Sequence, residues 1–225
     1  MKRYVRYIIF FSAALLISCV PKQSSDKGQG AVKPNLLPMF GEIKKSAEQL
    51  KIDQDFIVYC DNHFKDRNEA TQYHVDKGWE YFYQNDLNTA MKRFNQAWLL
   101  DSLNADVYWG FGNILGNQQK YQESLRYFEK SLSLNPENPQ VWYCSATSYG
   151  QLFFQTKDVT LLNKAIVNLK QSVSLDPTNA LAYGQLTACY SYFNQQDSAR
   201  KYLEITDRID PNAIHPEVRE LLNDN

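Results

Sequence analysis

From Thr71 onward the apolar residues fall in stripes with a helical period. Tyr108, Phe111, Gly112 and Leu115 stand at i, i+3, i+4 and i+7, one face of a helix. After a short polar break, Tyr121, Leu125, Phe128 and Leu132 make a second stripe. The stretch NPENP at 135–139 then interrupts the pattern. Proline lacks an N–H and disfavours helix in the residue before it, so the second helix stops after Leu134. Asn138 is placed to cap the next helix, with Pro139 in its first turn. The same punctuation returns as DPTN at 176–179 and DPN at 210–212.

These stops mark a repeat. Gly78, Gly112 and Ala146 follow at intervals of 34 residues, and Thr187 comes 41 later. Tyr81, Leu115, Tyr149 and Tyr190 keep that rhythm, as do Ala90, Ser124, Ala165 and Ala199. A period in this range means stacked supersecondary units, here a helix–turn–helix each. The small residues fall where paired helices cross closely. One irregularity, seven extra residues, lies between Tyr149 and Ala165. That length is about two helical turns, one for each helix of the pair. Phe153 and Phe154 would then sit near a tip, packed on Val159 and Leu162 or exposed as a contact patch.

Stacked repeats need covers at both ends. Ile214, Val218, Leu221 and Leu222 share one face of a helix opened by Pro216. At the other end Ser46-Ala47-Glu48-Gln49 has the form of a capping box. The helix it begins carries Leu50, Ile57, Cys60 and Phe64 on one side, expected to pack on the first repeat.

The N-terminus has another character. Lys2, Arg3 and Arg6 precede an apolar run, YIIFFSAALLI, too short for the roughly 20 residues that span a bilayer. Leu16-Ile17-Ser18-Cys19 follows and resembles the lipobox of bacterial lipoproteins. The resemblance implies a signal peptide at 1–18, cleavage after Ser18 and lipidation of Cys19. Val20, where an aspartate would hold some lipoproteins at the inner membrane, favours the outer membrane. The residues after it, at 19–38, are poor in large apolar groups and read as a flexible tether, reaching roughly 25 Å for ~19 residues.

Removing the signal peptide leaves 21 Lys and Arg against 25 Asp and Glu, with no basic cluster, which argues against nucleic acid. Cys60, Cys144 and Cys189 remain, as buried thiols or with one intramolecular pair. His63, His74 and His215 are scattered, and no metal-ligand spacing occurs. Gly110, Gly112 and Gly116 fall inside a helix with no strand before them, so helix packing explains them better than a phosphate loop. No metal, no cofactor and no enzymatic activity are expected.

The four units resemble the tetratricopeptide repeat. Unit 105–138 matches best, through Tyr108, Phe111-Gly112, Leu115, Ser124, Phe128, Ser131 and Pro136. Unit 71–104 keeps Gly78, Tyr81, Ala90, Phe94 and Ala97 but departs at His74, Lys77 and Ser102. Unit 139–179 has Trp142, Ala146, Tyr149, Ala165, Leu169 and Pro177; unit 180–213 has Tyr183, Leu186, Tyr190, Ala199, Leu203 and Pro211. The resemblance implies an all-α, right-handed solenoid of antiparallel helix pairs over 71–213, with an N-terminal capping helix within 39–70 and a C-terminal one within 214–225.

In that family the first helix of each unit lines a groove. Carried onto this chain, those positions hold neither lysine nor arginine, and they include Asp76, Asp106 and Thr147 beside the aromatic and amide set Trp79, Phe82, Tyr83, Trp109, Asn113, Asn117, Gln140, Tyr143, Gln151, Gln185 and Tyr192. The cationic clamp that family members use for acidic C-terminal peptides is therefore not expected. Aromatic anchors among amides suit an extended peptide. The same aromatics could instead serve packing, or the N-terminal helix could fill the groove. The resemblances together imply a lipid-anchored adaptor or scaffold binding another protein or peptide at a bacterial envelope membrane. The alternative is a lipoprotein that binds glycan or nutrient on the same scaffold.

Overall fold

The computed structural model describes residues 33–223. The signal segment, Cys19 and most of the tether lie outside them, so their assignments rest on sequence. The chain divides into two compact units between Pro136 and Glu137. All regular structure among the described residues is helical.

The first unit holds α1 (Ala47–His63), α2 (Arg67–Tyr83), α3 (Leu87–Leu100), α4 (Ala105–Asn117) and α5 (Tyr121–Leu134). The second holds α6 (Pro139–Thr156), α7 (Val159–Leu175), α8 (Ala180–Tyr192), α9 (Gln196–Ile209) and α10 (Pro216–Asn223). The pairs α2/α3, α4/α5, α6/α7 and α8/α9 are the expected hairpins. No helix among the described residues is long and apolar enough to cross a membrane.

Three of the four hairpins close in one way. Asn85, Gln119 and Asn194 take positive φ after the first helix. The next residue's N–H then returns to Tyr81, Leu115 or Tyr190 at 2.9, 2.9 and 3.0 Å. This left-handed stop satisfies carbonyls that the helix end would leave bare. Between hairpins, Asn104, Asn138 and Asn179 each cap the following helix through the side-chain oxygen. Pro139 occupies the first turn of α6. Where the first unit has Ser102 instead of proline, the Tyr108 hydroxyl donates to the Ser102 carbonyl at 2.7 Å.

Close crossing explains the small residues. A Cβ built on Gly112 would stand 2.5 Å from the Phe128 ring, and one on Gly78 2.7 Å from Phe94. The seven-residue insertion lengthens both helices of its pair: α6 and α7 have 18 and 17 residues, against 13 and 14 in α4 and α5. Its phenylalanines are packing residues rather than an exposed patch. Phe153 is fully buried beside Leu162, and Phe154 packs with Ala188, Ile214 and Val218.

The two ends differ from the expected boundaries. Residues 33–38, assigned by composition to the tether, are seated on the body. Pro34–Leu36 and Pro38–Glu42 form short 3₁₀ turns, and Pro38 is buried. Buried Asn95 of α3 holds this strap, donating to the carbonyls of Asn35 (3.2 Å) and Leu37 (2.9 Å) and accepting from Phe40 N–H (3.3 Å). The capping box at Ser46 and Gln49 is formed, but α2 begins at Arg67, ahead of the boundary expected at 71. α1 packs through Phe56, Ile57, Cys60 and Phe64 on Ala70 and Leu100. Leu50, expected on that face, is 56% exposed. At the C-terminus Ile214, Val218 and Leu222 are buried as the covering face, while the side chain of Leu221 lies outside what is described.

Candidate functional site

The first helices of the hairpins carry two faces of different chemistry, one in each unit. In the first unit α2 supplies Trp79, Phe82 and Tyr83, and α4 supplies Trp109. The two tryptophan rings meet with centroids 4.4 Å apart at 55°. Trp79 also stands edge-on to Phe82 at 5.6 Å and to Phe94 of α3 at 5.3 Å, and lies nearly parallel to Tyr83 at 6.0 Å. Such offset and edge-on pairs are the favoured aromatic geometries. Trp79, Phe82 and Trp109 are half-buried, whereas Tyr83 is 77% exposed. The face thus has a fixed base and an open edge.

What holds it in place is Phe94. That ring is fully buried and fills the slot left by two glycines: a Cβ on Gly78 or on Gly110 would come within 2.7 or 2.4 Å of it. Asn113 donates its amide to the Trp109 carbonyl at 2.9 Å, within its own helix. Asn117 is exposed at the end of α4. The indole N–H of Trp109 is buried and meets no acceptor, a cost of about 1–3 kcal/mol. Among the described ring contacts, none to Trp79 or Trp109 comes from residues 33–64. α1 packs on Ala70 and Leu100, and the ring partners of Phe82 are Trp79 and Tyr83.

The second unit presents hydrogen-bonding groups. Gln185 of α8 donates its amide to the Tyr143 hydroxyl (3.1 Å) and to Thr147 Oγ1 (3.2 Å), both on α6. Thr147 in turn donates to the Tyr143 carbonyl at 3.1 Å. Burial pushes the Tyr143 phenol up to about 12, so its proton stays on the ring. The carbonyl oxygen of Gln185 is buried without a donor. Gln140 is exposed in the first turn of α6 and Gln151 is half-buried further along. Tyr192 is 39% exposed and stacks edge-on against Phe153 at 4.7 Å, so it serves packing as well as surface.

Of the sequence-predicted residues, the structure therefore assembles Trp79, Phe82, Tyr83, Trp109 and Asn113 as one face. It couples Tyr143 to Gln185 as another. Thr147, a groove position not singled out among the anchors, completes the second face, and Phe94 completes the first from outside the predicted positions. A separate buried pair joins α1 to α2: Cys60 Sγ is 4.0 Å from His74 Nε2, with the rings of Phe56, Phe64 and Tyr73 around the imidazole. No group of three His, Cys, Asp or Glu side chains converges as a metal site among the described residues.

The repeats have relatives among known proteins. Residues 105–138 match the family model described as tetratricopeptide repeat. The Hsp70-Hsp90 organizing protein of Triticum aestivum is 23% identical over 128 residues, 57% of this chain but only 21% of that protein. The chain thus spans about a fifth of that relative's length. The solved structure of YrrB, described as "a TPR protein with an unusual peptide-binding site", superposes with TM-score 0.58 at 22% identity, covering 74% of this chain and 79% of YrrB. PilF of Pseudomonas aeruginosa superposes with TM-score 0.58 at 19% identity, covering 70% and 68%. The fold is that of the tetratricopeptide-repeat proteins.

Proposed function

We propose that this chain is a protein-interaction adaptor that binds an extended peptide on the aromatic first-helix face of α2 and α4. The observation that carries this reading is the Trp79–Trp109–Tyr83 surface, with half-buried rings at its base and an exposed ring at its edge. Aromatic anchors of this kind supply most of the energy at protein interfaces. Within the second unit, Gln185 and Tyr143 offer, as a separate face, amide and hydroxyl groups of the kind that bond a peptide backbone. YrrB, whose fold is similar, has a peptide-binding site, which supports the reading. Lipid on Cys19 would hold this adaptor at an envelope membrane, the outer one by the identity of Val20. The strap takes residues 33–38 out of the stretch that composition assigned to the tether.

The test is selection from a random peptide library by the full-length chain, beside a Trp79→Ala/Trp109→Ala variant of equal helicity. Selection by the parent that the variant loses is the expected outcome. Selection untouched by both substitutions rejects this face. Capture of oligosaccharide without any peptide favours the glycan-binding alternative. Mass analysis of the membrane fraction checks the anchor: a Cys19→Ala chain is expected to lose its acyl groups.

A further inference from the structure

The aromatic face carries a charge pattern that specifies its partner. Trp79 and Trp109 each follow an aspartate by three residues: Asp76-Lys77-Gly78-Trp79 on α2 and Asp106-Val107-Tyr108-Trp109 on α4. Three residues are nearly one helical turn, so each carboxylate stands beside its tryptophan on the same helix face. The two tryptophan rings touch, and Asp106 lies close enough to Asp76 to feel its charge. We propose that this face accepts a cationic side chain, the guanidinium or ammonium of an arginine or lysine in the bound peptide. The charge would rest over the tryptophan rings, with Asp76 and Asp106 as counter-ions. This rests on the peptide-binding reading above and adds the class of residue recognised.

Three observations support it. Asp76 is exposed, and it accepts a hydrogen bond from the neutral amide of Gln72 at 2.8 Å. Lys77, the cation between Asp76 and Trp79 in sequence, is paired with Glu80 at 2.6 Å. Burial, and then the nearby charge of Asp76, hold the Asp106 carboxyl above its usual range. An arriving cation would relieve the second of these costs. Indole faces attract cations through their quadrupole, best where water is partly excluded. The first-helix positions of the second unit, from Gln140 to Gln151 and Leu181 to Tyr192, hold no charged residue at all, so the carboxylate pair is particular to the first unit.

The experiment sorts the peptides selected by the full-length chain according to charge and repeats the selection with Asp76→Asn/Asp106→Asn. Peptides enriched in arginine or lysine are expected. Replacing their cation by citrulline or glutamine is expected to weaken binding roughly tenfold. The asparagine variant should lose the enrichment. Should that variant fold poorly, the parent's affinity for a selected peptide is followed against salt, where a decline with ionic strength is expected. Peptides selected without cationic enrichment, an enrichment that survives the asparagine variant, or an affinity indifferent to salt would overturn the inference and leave the peptide-binding reading standing. A parent chain that selects no peptide would remove both.

Discussion

The aromatic face on α2 and α4 and the polar face on α6 and α8 occupy corresponding places in their hairpins, yet they share almost no chemistry. The first is built by ring contact: Trp79 touches Trp109, Phe82, Tyr83 and Phe94. The second is built by hydrogen bonds from Gln185 to Tyr143 and Thr147. The helix crossings beneath them use the same device, a small residue under a large one. Gly78 and Gly110 admit Phe94, and Ala146 is buried with Leu169. Packing positions fix the hairpin, and the neighbouring outward positions carry the chemistry that differs between the two faces.

The largest way to break this contrast is from below. Phe94→Ala removes the ring on which the aromatic face rests. It should destabilise the first unit by about 3–5 kcal/mol, read by denaturant unfolding. Hydrogen exchange resolved by helix should show the loss in α2–α4 and not in α8. The rings of Trp79 and Trp109 should lose their fixed mutual tilt along with it.

Acid should separate the two units next. Burial, and then the charge of Arg93, lower His74 from 6.5 to about 4, so the fold favours the neutral imidazole. Because the folded value lies below the unfolded one, stability is complete above about pH 6.5. It falls as pH drops toward 4, by about 3 kcal/mol in all, and is level below that. Cys60, the facing thiol on α1, is itself pushed up by burial and brings no compensating charge. Melting at pH 7 and pH 4.5 should show the loss in the parent chain and a smaller one in His74→Leu. α10, which covers the other end with Ile214, Val218 and Leu222, has no buried histidine in its place.

A smaller effect sharpens the polar side. Gln185→Leu removes both amide donations and should cost about 1 kcal/mol, since each bond's net worth is modest and the Tyr143 hydroxyl can turn elsewhere. The ring stack of the first unit should be unchanged by near-ultraviolet dichroism.

The hairpins and their ends were legible because their causes are local. Proline stops, asparagine caps and small crossing residues act within a few positions, so Asn138-Pro139 and Gly112 could be read directly. The strap was not legible because composition was averaged over 19–38, where serine, glycine, lysine and glutamine outweigh the short apolar cluster Leu36-Leu37-Pro38. Its signal was on the partner helix instead. Asn95 is a buried amide at a position where the other hairpins carry exposed Glu129, Lys170 and Glu204. Leu50 misled for a related reason: a helical stripe tells which residues share a face, and the exposed start of α1 reaches past the hairpin it covers. Among site residues, Trp79 and Trp109 could be placed on one wall from the repeat register. Their contact could not, because it depends on Phe94 and two glycines whose role emerges only when three helices meet.

The most direct test uses the indole N–H resonances of the chain's four tryptophans. Trp98 lies on the strap side, its ring 6.4 Å from Phe40 and its N–H donating to the Tyr108 hydroxyl at 3.3 Å, and serves as an internal reference. On addition of a selected peptide, the resonances of Trp79 and Trp109 are predicted to move while that of Trp98 stays. Movement of Trp98 with Trp79 and Trp109 unmoved would contradict the account and put recognition on the strap side of the first unit.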